Sequence, residues 1–388
     1  MSELKVKLDS LCIFRDLLGD SVIAPLHRYL NHPTNSAYAE FVAALYDANG
    51  GNLGEHVREI CENSGNVYVR TVGRGLVVPE HIKQALGEEL DTLQQVADLT
   101  AEQLRRPLGF DGFLPEFVSG GVDLRGTYRH RMENIGKYGY GIFSKNRMFF
   151  VGEHDEIIPV TNPDSTRLSD LVDYERERQI ILDNTRALLA GKPAANILLS
   201  GDAGTGKSST VKAVGNELFT DGLRIIEVRK EQLRSIPKLL NDLAENPLKF
   251  ILFIDDLSFL KDDDNFNALK AVLEGSVSAK SSNVVIYATS NRRHIIKEKF
   301  SDREGDDIHR NDTMQELVSL SERFGIHVTF SKPDKATFLR IVRHLADQKG
   351  ITMPTDRLEL LAERFALERG SRSARLAHQF IDGLLSEV

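Results

Sequence analysis

An apolar triplet running straight into a glycine-rich loop constrains this chain more than any other feature. Residues 196–210 read Asn-Ile-Leu-Leu-Ser-Gly-Asp-Ala-Gly-Thr-Gly-Lys-Ser-Ser-Thr. Ile197-Leu198-Leu199 is short, apolar and bounded by turn formers, the pattern of a strand buried on both faces. Gly201-Asp202-Ala203-Gly204-Thr205-Gly206-Lys207-Ser208 then fits the spacing Gly-x-x-x-x-Gly-Lys-Ser/Thr without a gap. Glycines at 201, 204 and 206 let the backbone wrap closely and aim its N–H groups at an anion. Lys207 is expected to reach the β- and γ-phosphates, and the Ser208 hydroxyl to ligate Mg²⁺. Residues 209–219, from Ser209 onward, carry Val211, Val214 and Leu218 at helical spacing, so a helix dipole adds to the cradle. A chance glycine-rich turn would lack the strand before and the helix after. The stretch predicts a nucleoside triphosphate site.

Downstream, strand and helix patterns alternate from Leu168, as in a parallel α/β sheet. Helical spacing covers 171–189, 231–243 and 265–273, and apolar strands are expected at 223–228, 249–254, 283–288 and 326–330. The segment Leu171-Val172-Asp173-Tyr174 is a helix start by spacing, and it can also lie against an adenine, with Val172 as the contact. Strand 249–254 runs into Asp255-Asp256, at a distance from the loop that suits a second Mg²⁺ anchor at Asp255. Asp256 then stands where a carboxylate orients or deprotonates the attacking water. Asp is one methylene shorter than Glu, and a misplacement of about 1 Å costs roughly 10²-fold in rate. Slow turnover, or closure by a neighbouring subunit, is therefore expected. Strand 283–288 leads into Thr289-Ser290-Asn291, where Asn291 is the residue chosen to reach the γ-phosphate or the water. The acidic stretch 300–312 reads as a solvated loop rather than a metal site at His309.

The first third looks different. Helical spacing at 4–18, 37–46, 53–60, 79–96 and 100–104 points to a small bundle without a catalytic constellation. Residues 140–143, 147–151 and 156–160 read as three short strands, and 161–166 as a linker. Arg125, Tyr128, Arg129, His130, Arg131, Lys137, Tyr138, Tyr140, Lys145 and Arg147 interleave basic and aromatic side chains, which suits either a nucleic-acid backbone or a small solvated sheet. A net charge of −8 argues against general nucleic-acid coating. Cys12 and Cys61 read as buried free thiols with neither disulfide framework nor zinc spacing. No apolar run approaches the roughly 20 residues of a membrane helix, and the charged opening Met-Ser-Glu-Leu-Lys is unlike a signal peptide, so a cytoplasmic protein is expected.

Taken together, these motifs resemble the AAA+ ATPase superfamily over roughly 168–388. Walker A matches 201–208, Walker B 250–256 and the sensor-1 strand 284–291, while Ser321-Glu322-Arg323-Phe324-Gly325 looks like an arginine-finger box. More narrowly, Tyr-Ala-Thr-Ser-Asn-Arg-Arg-His and Ser-Leu-Ser-Glu-Arg-Phe-Gly resemble a bacterial family of ATP-binding proteins filed as a domain of unknown function. The paired Asp255-Asp256 also looks like the initiator and helicase-loader branch. The resemblance implies an α/β core at 163–332 with a parallel five-stranded sheet in order 5-1-4-3-2. It also implies a helical lid at 333–388, while the residue patterns themselves give a mainly helical N-terminal domain at 1–162 with a small β element. It implies ATP and Mg²⁺ as ligands, a homo-oligomer in which Arg323 acts in trans, and a lid arginine, with Arg372 preferred over Arg375. No aromatic-apolar-Gly pore triplet follows the second strand, which puts protein unfolding in doubt. An ATPase that remodels an unknown partner is the first expectation. A slow ATP switch or nucleic-acid loader is the alternative, and no Asn-Lys-x-Asp sequence supports a GTPase.

Overall fold

The computed structural model describes residues 2–257, 264–274, 282–291 and 322–386. The acidic stretch at 300–312, which includes His309, and Ser321, the first residue of the arginine box, lie outside them. The chain divides into two compact units, 1–145 with 246–248 and 146–245 with 249–388.

The first unit is a helical bundle. Its helices Ile23–Asn31, Asn35–Asn49, Leu53–Asn63 and Glu80–Ala97 bury Leu26, Tyr29, Phe41, Val57 and Leu93 in one core. Side-chain caps set several helix starts: Thr34, Asn52 and Asn66 each accept an N–H three residues on. The single helix expected at 4–18 ends at Asp9 and is followed by a 3₁₀ turn, Arg15–Gly19. The buried Glu89 carboxylate breaks it by accepting the N–H groups of Cys12, Ile13 and Phe14 at 2.9–3.1 Å. Cys61 is buried, but Cys12 is exposed, because it sits in this interrupted stretch.

The second unit is built on a seven-stranded sheet, not five. Its strands are β1 (Met148–Val151), β2 (Ile157–Pro159), β3 (Ile197–Gly201), β4 (Leu223–Glu227), β5 (Lys249–Ile254), β6 (Val284–Ser290) and β7 (Ile326–Phe330). They lie in the order β2-β1-β4-β5-β6-β3-β7, and every pairing is parallel except the β1–β2 hairpin. The hairpin was expected in the N-terminal domain. It joins the main sheet because Met148, Phe149 and Val151 are all buried, which requires cover on both faces. The boundary expected at 162/163 accordingly lies at 145/146. The third expected strand, 140–143, does not form. Gly139 and Gly141 take φ of 63° and 59°, and Ile142–Lys145 coils into a helical turn.

The linker at 161–166 is pinned, since Asn216 donates to the carbonyls of Asp164 and Thr166 at 2.9 and 2.8 Å. One sheet face packs Leu199, Val211, Ile225, Phe253 and Val328 with helix Glu175–Leu189. There the buried Tyr287 hydroxyl meets Asn184 at 3.0 Å and Thr185 at 2.8 Å, and burial pushes its pKa up to about 12. Helices Lys335–Gln348, Thr355–Glu368 and Ala374–Ser386 close the chain around Phe338, Val342, Leu358 and Phe380. Among the described residues, no helix is long and apolar enough to cross a membrane.

Asp20 organises the start of helix Ile23–Asn31. Its Oδ1 accepts Val22 N–H at 2.9 Å and Ile23 N–H at 3.1 Å, and His56 Nε2 lies 2.7 Å away. Burial alone would raise its pKa, but His56 and the two amides outweigh it and hold the carboxyl below the ordinary 3.8. Such a group stabilises the fold above that ordinary value and stops doing so as pH falls through the lower folded value. Asp20→Ala is expected to cost about 1–3 kcal/mol at neutral pH. In urea unfolding, the gap to wild type should close below pH 3.8.

Candidate functional site

The carboxyl ends of β3, β5 and β6 meet at one edge, since Ile254 pairs with Ala288 while Leu199 and Ser200 pair with Thr289 and Ser290. In open parallel sheets this is the edge where ligands bind. The glycine loop leaves β3 here. Gly201 takes φ of 138°, and a Cβ on it would stand 2.0 Å from the Phe330 carbonyl oxygen of β7. Gly204 and Gly206 lie at φ of 77° and 91°; a Cβ at 206 would meet nothing within 4 Å, whereas at 204 it would crowd Ser373 and Arg375. The loop then opens helix Lys207–Glu217.

Lys207 is buried, and its Nζ donates to the carbonyls of Gly201 at 3.0 Å and Asp202 at 2.7 Å. Burial pushes its pKa down, while Asp202, Asp255 and Asp256 pull it up. Thr205 Oγ1 donates to the Asp202 carbonyl at 2.9 Å and closes the loop on itself. Ser208 Oγ donates to Asp255 Oδ1 at 2.6 Å, joining the loop to the end of β5. Asn291 Nδ2 donates to Asp256 Oδ1 at 2.7 Å. Lys207, Ser208, Asp255, Asp256 and Asn291 are therefore brought to one place. Thr289, absent from the expected set, sits among them. Its Oγ1 donates to Asp255 Oδ1 at 2.5 Å and accepts the Asp256 N–H at 2.9 Å.

A pocket beside the loop is lined by Val172, Tyr174, Thr205, Gly206, Ile341 and Ala374, among others. Asp173 and Tyr174 both adopt left-handed backbone, at φ of 60° and 62°. Arg340 pairs with Asp173 at 2.6 Å, and the Tyr174 ring packs at a tilt of 40° against Phe330 with centroids 5.1 Å apart. Arg323 lies half-buried just before β7.

Arg372 is not drawn to the loop. Its guanidinium forks onto Glu363, with two contacts of 3.1 Å, and Lys335 reaches the same carboxylate at 3.4 Å. The neighbouring Arg375 adjoins the loop instead, its backbone N–H donating to the Gly204 carbonyl at 3.3 Å. The basic and aromatic side chains of the first unit are also engaged internally. Arg125 pairs with Asp91, Lys145 with Glu59 and Arg131 with Glu62, Arg131 also covers the Tyr138 ring, and Tyr128 is buried. Arg125, Arg131 and Lys145 are thus each paired with a carboxylate of the same unit.

A parallel-dominated sheet with a lysine-bearing glycine loop at the end of an inner strand defines an α/β protein. Residues 144–388, well over half of the chain, match the family described as "Protein of unknown function (DUF815)", and the chain belongs to that family. No curated protein matches it. Among solved structures it is similar to the Thermotoga maritima RuvB Holliday junction branch migration motor, with 14% identity and a TM-score of 0.34 over 56% of this chain and 72% of that one.

The three loop glycines are expected to differ in what a methyl group costs. Gly206→Ala should lose about 1–2 kcal/mol, from backbone strain alone. Gly201→Ala adds a collision with β7 backbone and should lose roughly 2–6 kcal/mol. Guanidinium unfolding of the two variants checks the order.

Proposed function

We propose that the chain is an AAA+ ATPase that binds Mg-ATP and hydrolyses it to ADP and phosphate, coupled to oligomer assembly or remodelling of a partner. The observation that carries this reading is the 2.6 Å contact of Ser208 with Asp255, which joins a left-handed glycine loop to an acidic strand end. The loop amides and Lys207 take the phosphates. Two adjacent oxygen donors, a hydroxyl and a carboxylate, suit a hard cation. Ser208 and Asp255 hold Mg²⁺, which when bound neutralises charge on the phosphate oxygens. The base lies against Val172 and Tyr174 in the lined pocket.

Asp256, held by Asn291, orients a water toward the γ-phosphorus, and the bond to the β–γ bridging oxygen breaks. Arg375 takes the place of Arg372 as the lid arginine, because Glu363 holds the latter while the former adjoins Gly204. Arg323 completes a neighbouring subunit's site, which requires a head-to-tail assembly.

Lys207→Ala is expected to lower steady-state phosphate release by ~10²-fold or more; equal rates in variant and wild type would remove the catalytic reading. Arg323→Ala should cut turnover by about 10³-fold while ATP still binds. Mixing it with Lys207→Ala protein should restore part of the activity, as a finger acting in trans requires. Turnover that mixing leaves unchanged would place Arg323 in its own subunit's site.

A further inference from the structure

Thr289 makes three hydrogen bonds to three consecutive residues across the strand ends. Its hydroxyl donates to Asp255 Oδ1 at 2.5 Å and accepts Asp256 N–H at 2.9 Å, and its carbonyl accepts Leu257 N–H at 2.7 Å. Only 2% of Thr289 is exposed, so the threonine side of these bonds is shielded from solvent. The segment it holds is unusual. Asp256 adopts left-handed backbone at φ of 51°, which a non-glycine residue keeps only when its surroundings impose it. Regular β5–β6 pairing ends at Ile254 with Ala288, one residue before the acidic pair. Past that point, Thr289 keeps β5 and β6 together and sets the direction in which each carboxylate leaves the backbone.

The division of labour at Asp255 follows from its partners. Its Oδ1 receives Ser208 Oγ, Thr289 Oγ1 and, at 3.1 Å, Asp256 N–H. Ser208 is the partner whose hydroxyl an ion takes over. The Thr289 hydroxyl and the Asp256 amide then remain to fix the carboxylate's rotation. The amide is itself placed by Thr289. Mg²⁺ tolerates little departure from octahedral geometry, so a carboxylate free to rotate loses affinity for it.

We propose that Thr289 is a positioning residue, the clamp that aims Asp255 at the metal and sets the elbow at Asp256. The proposal rests on the Mg-ATP reading of the same site. Removing groups that orient a metal ligand typically costs 10–100-fold in metal affinity or activity.

The test is equilibrium binding of a fluorescent ATP analogue to full-length protein, with Mg²⁺ and with EDTA, in wild type, Thr289→Val and Thr289→Ser. The ratio of the two affinities within each variant is the readout, so a partial loss of stability cancels. Thr289→Val should bind the EDTA-treated nucleotide as wild type does, and its Mg²⁺-dependent tightening should fall by about 10–100-fold. Thr289→Ser keeps the hydroxyl and should retain the tightening. Steady-state hydrolysis by Thr289→Val should show reduced kcat and a higher Mg²⁺ requirement, with little change in nucleotide KM. A wild-type ratio in Thr289→Val, or equal losses in the Ser and Val variants, overturns the clamp. Equal weakening of Thr289→Val with and without Mg²⁺ assigns the residue a structural role only and also overturns it. Should Thr289→Val fail to fold, Thr289→Ala is read by the same ratio. Wild type that binds no nucleotide in either buffer overturns the Mg-ATP reading instead.

Discussion

Parallel pairing of β5, β6 and β3 is the constraint on which the rest of the site depends. Parallel strands all end at the same edge, so a loop leaving β3, an acidic pair leaving β5 and a polar tip on β6 must converge there. The convergence is tight because the strands are buried on both faces and cannot slip. Phe250, Ile251, Leu252, Phe253 and Ile254 are all fully buried, and a shift of one residue would exchange both faces at once. Side chains pin the opposite end too: Asn196 Oδ1 accepts the Ile286 N–H at 2.8 Å, and Asn184 bonds both ways to the backbone of Ala195. The position of Lys207 relative to Asp255 is thus a consequence of sheet register.

This explains which parts were legible in the amino-acid order. The strand at 249–254 was readable because a continuous apolar run of that length has few places to go, and the one at 326–330 because Ile-His-Val-Thr-Phe alternates apolar and polar residues. The loop was readable because each of its glycines meets a separate requirement, a backbone approach at Gly201 and left-handed turns at 204 and 206. The edge of the sheet was not readable. Met148-Phe-Phe-Val151 is equally good as one arm of an isolated hairpin or as a parallel strand, and only the hydrogen bonds to β4 distinguish them. A local pattern carries periodicity but not the identity of the neighbour.

Long-range polar partners escaped for the same reason. Arg372 and Arg375 flank the start of one helix, and spacing along the chain treats them alike. What separates them is Glu363, nine positions earlier but on the preceding helix, which captures Arg372 with help from Lys335. Glu89 likewise ends the first helix by holding amides as far as 75 positions back, at Phe14. Thr289 was visible as a letter in Thr-Ser-Asn, yet its contacts are to a strand more than thirty positions back. The basic residues at 125–147 show the converse. Their composition suited either a nucleic-acid backbone or a small solvated sheet, and the carboxylates paired with Arg125, Arg131 and Lys145 lie on other helices.

Backbone strain marks the same edge. Among the described residues, four non-glycine positions have positive φ, and three of them, Asp173, Tyr174 and Asp256, belong to the site. Each is held by contacts remote in sequence. Arg340 holds Asp173, the Phe330 ring and Ser331 carbonyl hold Tyr174, and Thr289 holds Asp256. Strain of roughly 1–3 kcal/mol per residue persists only where the surroundings over-determine it. The pocket wall at 173–174 therefore depends on β7 and on helix Lys335–Gln348, while the acidic elbow depends on β6. These are separate supports. A change in the helix carrying Arg340 acts on the wall of the pocket without passing through Asp255, and a change at Thr289 acts on the acidic pair without passing through the wall.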